Sequence, residues 1–303
     1  MQHVRADCIL ATNTSALSIA SLAEGCPRLI GLHFFNPIDK MPLVEVVTTP
    51  QTPVSLSTFL RRFVVALQKI PILMADGPGF VVNRILVRSL TEALWCWVDG
   101  ADMEALDAAC VDYGMPMGPF RLMDEVGLDI CQHVGVRLQK MLGERLAYPR
   151  AEIDMELQSH TLGRKTGRGY YLYQPDGKIR SVNPDLTRLV DVDNSIPIDI
   201  FRERVILAAL NEAAWIVSDG IATPEDVDCA MILGAGWIPF RGGPLAQIDQ
   251  QGSSHVVDRL QYFAETVSAA RFEPAPALLQ RREVFIPSCL QRPFLLDWAT
   301  SKL

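Results

Sequence analysis

The spacing of hydrophobic positions changes character near residue 76. Before it, apolar residues come in short runs closed by turn formers. Cys8-Ile9-Leu10-Ala11 ends in Thr12-Asn13-Thr14-Ser15, Leu29 to His33 follows, Leu43 to Val47 is closed by Thr49-Pro50, and Ile70 to Met74 is a fourth run. Runs of this length between turn clusters predict buried strands. Ser18 to Ala23 predicts a short helix, and Leu56, Leu60, Val64 and Leu67 recur at helical spacing over Val54 to Leu67. Strands separated by short helices predict a sheet, here the back half of a doubly wound one. A half sheet leaves an edge strand and an apolar face open unless something covers them.

After Asp76-Gly77-Pro78-Gly79 the pattern becomes helical almost throughout, and it repeats. Arg84 to Gly100 aligns without gaps on Arg204 to Gly220, matching Glu92 with Glu212, Trp95 with Trp215 and Asp99-Gly100 with Asp219-Gly220. Asp102-Met103-Glu104 and Thr223-Pro224-Glu225-Asp226 are both helix starts, with a side-chain cap and acids in the first turn. Gly118-Pro119 and Asp124 answer Gly243-Pro244 and Asp249. Two copies of one helical unit imply a duplicated domain packed on itself. The predicted organisation is an α/β part at 1–75, helical units at 76–175 and 176–276, and a tail at 277–303.

Composition narrows the function classes. With 49% hydrophobic and 21% charged positions in 303 residues, the chain can form more than one core. A net charge of -7, with no stripe of Lys or Arg, argues against nucleic acid as a partner. Seven cysteines without CxxC spacing predict reduced thiols and no metal site. No apolar run is long enough for a membrane helix, and the start MQHVRADCIL does not read as a secretory signal. A cytoplasmic protein is expected, with the terminal Ser301-Lys302-Leu303, spelled like a peroxisomal address, as the alternative.

Candidate chemistry lies in three motifs: Gly31-Leu32-His33-Phe34-Phe35-Asn36-Pro37, Leu43-Val44-Glu45-Val46, and Gly77-Pro78-Gly79-Phe80-Val81-Val82-Asn83-Arg84. Together with the loop Asn13-Thr14-Ser15 they resemble the catalytic region of the L-3-hydroxyacyl-CoA dehydrogenase family. The repeated helical unit resembles the large multifunctional fatty acid oxidation proteins of that group, and the resemblance extends to about Pro276. It implies NAD as cofactor, a 3-hydroxyacyl-CoA or 3-oxoacyl-CoA substrate, a homo-oligomer, and a thiolase subunit as a partner. In the family about a hundred further residues carry a Gly-x-Gly-x-x-Gly dinucleotide turn, which this sequence lacks, so the resemblance implies an amino-terminally truncated form or a half supplied by another polypeptide.

By the same resemblance His33 is the general base and Glu45 orients it, Asn83 and Ser15 contact the substrate, and Ser15 and Asn36 contact the cofactor. The chemistry suits these residue types. Oxidising a secondary alcohol requires a proton acceptor as hydride leaves, and a carboxylate beside a histidine fixes its tautomer. An amide donor at the 3-oxygen offsets developing charge. Plainer readings stand beside these: a strand-end histidine, a surface acid, a helix cap at Asn83, and turn residues at Ser15 and Asn36. Asn13 reads as loop-shaping. The second unit, with Glu203 where the first has Asn83, is expected to be catalytically silent, and Gln247 stands where large family members often carry a substrate-contacting tyrosine. A non-enzymatic helical module for dimerisation or docking is the alternative function.

Overall fold

The computed structural model describes residues 4–5, 7–15, 17–149, 161–187, 195–280 and 285. Ser301-Lys302-Leu303 and most of the predicted tail lie outside the described residues.

Four strands form one sheet in the order β1 (Leu10–Thr12), β2 (Leu29–Phe34), β3 (Leu43–Thr48), β4 (Ile70–Ala75). β1 runs parallel to β2 and β3 parallel to β4, while β2 and β3 are antiparallel. The antiparallel step follows from chain length, because the Phe35 to Pro42 connection falls short of the dozen or so residues a parallel crossover requires. Between β3 and β4 the helix α2 (Val54–Ala66) makes that crossover.

The alternation within β2 and β3 assigns two faces. Ile30, Leu32, Val44 and Val46 form one core with Leu56, Leu60 and Val64 of α2. Leu43, Val47, Ile72 and Met74 face the helical part of the chain and join its largest core. Gly31 permits a close approach there, since a Cβ would stand 2.9 Å from Val47 Cβ and 3.0 Å from the Ile19 side chain. Both sheet faces are thus covered, although the outer side of α2 leaves Phe59 53% and Phe63 42% exposed.

Beyond the sheet come α3 (Val82–Val98), α4 (Met103–Tyr113), α5 (Pro119–Val126) and α6 (Leu128–Leu142). An antiparallel hairpin of β5 (Tyr171–Tyr173) and β6 (Ile179–Val182) precedes α7 (Ile198–Ser218), α8 (Pro224–Ala235), α9 (Pro244–Gln251) and α10 (Ser253–Thr266). The hairpin departs from the expected all-helical region. The Pro175-Asp176-Gly177 sequence is its turn, with Gly177 at φ +81°. α7 also begins upstream of the aligned repeat. The expected caps are present: Asp102 accepts the Ala105 N–H at 2.8 Å, and Thr223 accepts the Asp226 N–H at 3.2 Å.

α3 and α7 pack against each other through buried ion pairs that recur with the two helices exchanged. Arg84 Nε donates to Glu212 Oε1 at 2.6 Å and Arg84 Nη2 to Asp219 at 2.7 Å. Arg204 Nη2 donates to Glu92 Oε1 at 2.8 Å and pairs with Asp99 at 2.7 Å. Arg145 stacks over Trp215 at 4.1 Å, and Arg271 over Trp95 at 4.5 Å. The arginine of each copy therefore meets the acids of the other, a local two-fold relation. In the same way Asp107 accepts the Phe120 and Arg121 N–H groups at the start of α5, and Asp228 accepts those of Leu245 and Ala246 at the start of α9.

These capping acids carry a pH signature. Burial pushes Asp228 up to about 8, outweighing the two N–H donors that favour its charged form. The folded chain then binds this proton more tightly than the unfolded chain does. The resulting stability is complete below the ordinary carboxylate value and is lost as pH rises through about 8. Asp228→Asn is therefore expected to flatten the dependence of the urea midpoint between about pH 5 and 8 relative to the native chain; an unchanged slope would contradict the assignment.

Candidate active site

His33 lies near the C-terminal end of β2, directly opposite Glu45 of β3 in the register. Cross-strand partners project to the same face, here the face toward the helices. His33 Nδ1 stands 2.6 Å from Glu45 Oε2. The other carboxylate oxygen accepts the backbone N–H groups of Val81 and Val82 at 3.2 and 3.0 Å. Those donors belong to the start of α3, whose N-terminal dipole favours a carboxylate there. Glu45 is fully buried and His33 is 6% exposed. With backbone donors on one side, Glu45 is placed to accept an N–H from the ring at Nδ1.

Two aromatic rings hold the imidazole in place. Phe35 meets it edge-on with centroids 4.6 Å apart, and Phe80 lies at 5.6 Å. Phe80 is buried and sits at φ +54°, a left-handed conformation that is unfavourable for a bulky residue. That conformation follows Gly79 at φ +70° and leads into the two N–H groups that grip Glu45.

Asn83 is the second residue of α3 and is half-buried. The capping role considered for it goes instead to Glu45, which reaches in from β3. Ser15 lies in the loop after β1, half-buried. Because β1 runs parallel to β2, this loop shares an edge of the sheet with His33, and Asn13 fixes it by accepting the Phe34 N–H at 2.9 Å. Asn36 is exposed in the turn after β2. The five candidate residues thus come from the C-terminal ends of β1 and β2, from β3, and from the first turn of α3. The Val81 and Val82 amides and the two phenylalanines were not singled out from the sequence; the Gly79-Phe80 pair was their nearest signal.

At the matching positions of the second copy the contacts differ. Glu203 makes a bidentate ion pair with Arg259 at 2.6 and 2.7 Å. Gln247 is buried and donates to the Tyr113 hydroxyl at 2.8 Å.

The described residues fit the nicotinamide end of a dinucleotide better than its pyrophosphate. Ser15 and Asn36 offer a hydroxyl and a carboxamide on the sheet edge that holds His33. The N-terminus of α1 (Ile19–Leu22), the helix that follows β1, is already taken by Asp76, whose Oδ2 accepts the Ala20 N–H and the Ser18 hydroxyl, both at 2.8 Å.

Comparison with known proteins finds matches along most of the chain. Residues 1–77 match the family model described as the NAD binding domain of 3-hydroxyacyl-CoA dehydrogenase. Residues 79–173 and 201–283 match that of its C-terminal domain. An NAD-binding domain is therefore present at 1–77. This match gives no support to the expectation of a truncated remnant. The match to 283 also passes Pro276, where the resemblance was expected to stop.

The fatty acid oxidation complex subunit alpha of Shewanella sp. (strain ANA-3) is 38% identical over an alignment of 284 residues that covers 89% of this chain and 39% of that protein. The chain thus spans about two fifths of the length of this curated relative. The 3-hydroxybutyryl-CoA dehydrogenase of Escherichia coli K12 aligns at TM-score 0.75 and 25% identity, over 90% of this chain and 75% of that one. The dehydrogenase part of multifunctional enzyme 1 from C. elegans shares the fold at TM-score 0.62 and 21% identity, over 91% and 65% of the two chains.

Proposed function

This chain belongs to the 3-hydroxyacyl-CoA dehydrogenase family, and on that premise we propose that it interconverts L-3-hydroxyacyl-CoA and 3-oxoacyl-CoA with NAD. The observation that carries the proposal is the buried His33–Glu45 pair clamped to the first turn of α3. His33 Nε2 takes the hydroxyl proton, and the imidazolium that forms is offset by Glu45 through Nδ1. The Asn83 amide donates to the 3-oxygen as its charge develops. Ser15 contacts the substrate and, with Asn36, the nicotinamide end of the cofactor. NAD, when bound, supplies the hydride acceptor. In the reverse direction His33 returns the proton to the 3-oxygen.

The second helical unit is read as a duplicate without chemistry of its own. Its Glu203, at the position of Asn83, is spent on Arg259. The test is enantiomeric: NADH should form from L-3-hydroxybutyryl-CoA and NAD and not from the D form. Formation from the D form would contradict the assignment.

A further inference from the structure

Arg84 directly follows Asn83 and is fully buried. Its guanidinium reaches into the second helical unit, to Glu212 within α7 and Asp219 at its end, at 2.6 and 2.7 Å. Its backbone N–H donates to Gly79 O at 3.2 Å. The first turn of a helix lacks intrahelical partners for its N–H groups and is where opening begins. In α3 that turn is gripped by Glu45 from the sheet and, through Arg84, by two acids from α7.

We propose that Glu212 and Asp219 are positioning residues for the dehydrogenation. Through Arg84 they set the rotation and height of the first turn of α3, and with it the Asn83 amide relative to His33. The second unit thereby takes part in catalysis without touching the substrate. This inference rests on the proposed function for its kinetic consequence and on the contact geometry for its structural one.

The chain contains its own control. Arg204 makes the same contacts in exchange, to Glu92 and to Asp99, but the residue before it is Glu203, paired with Arg259. Asp219 and Asp99 are matched in exposure, with side chains 38% and 39% accessible. Substituting either one by asparagine removes an equivalent half-exposed ion pair. Only Asp219 lies on the route to Asn83.

The experiment compares Asp219→Asn with Asp99→Asn for kcat, KM, thermal midpoint and amide exchange. Asp219→Asn should lower kcat by up to about tenfold with KM nearly unchanged, as expected for a small displacement of a catalytic amide. It should also speed exchange of the Val81 to Arg84 amides. Asp219→Glu, which keeps the charge, should recover most of the rate. Asp99→Asn should shift the thermal midpoint by a similar amount and leave kcat as it was. An equal fall in kcat for both asparagine variants, or no fall for Asp219→Asn, would overturn the inference. If the native chain forms no NADH the proposed function fails by itself, and exchange then decides: unchanged protection at 81–84 in Asp219→Asn overturns the positioning role.

Discussion

A His33→Gln chain should fold as the native chain does and turn over about 10²- to 10⁴-fold more slowly, the contribution of a positioned general base. Glutamine is close in length and can keep a donor toward Glu45 Oε2, which stands 2.6 Å from the imidazole Nδ1. The clamp of Glu45 on Val81 and Val82 should therefore persist. What is lost is the Nε2 lone pair. Steady-state kinetics with matched circular dichroism would check this. A native rate in the variant would place the proton acceptor elsewhere, and a loss of fold would mean that His33 serves packing between Phe35 and Phe80.

The second large effect is on stability. Glu92→Ala should destabilise the chain by about 3–5 kcal/mol, the cost of leaving buried charge without its partner. Glu92 is fully buried and pairs with Arg88 at 3.0 Å, Arg204 at 2.8 Å and Arg271 at 3.1 Å. Those three arginines are 1%, 3% and 7% exposed. Burial already draws Arg271 below its ordinary value, and Glu92 is the largest influence opposing it. Removing the carboxylate leaves the cations facing one another in a closed space. Urea denaturation measures the effect; a change below about 1 kcal/mol, typical of an exposed ion pair, would contradict the network's role.

The sequence made the local elements of this fold legible because they are written in short-range patterns. Apolar runs marked all four sheet strands, and α2 followed from helical spacing of the residues that line its core. The repeat marked which residues are equivalent, yet not that the arginine of one copy meets the acids of the other, since Arg84 reaches Glu212 and not Glu92 of its own helix. Contacts exchanged between copies are long-range, and a repeat alone cannot tell packing across the copies from packing within one. The β5–β6 hairpin was missed beside stronger helical signals, although its Pro-Asp-Gly turn is visible in the chain.

At the site, the pairing of His33 with Glu45 was legible through the motifs, while the clamp was not. Glu45 was expected to orient His33, and it also caps α3, a role that depends on the β2–β3 register and on the left-handed Phe80. That second contact ties the sheet to the helix carrying Asn83, so His33 and the first turn of α3 are held by one buried carboxylate.

The most direct measurement is acetoacetyl-CoA-dependent oxidation of NADH by the purified chain, followed by the fall in NADH absorbance, with His33→Gln prepared identically. The account predicts turnover by the native chain that is lost in the variant. Equal rates in the two preparations, or no turnover from a natively folded chain, would contradict it.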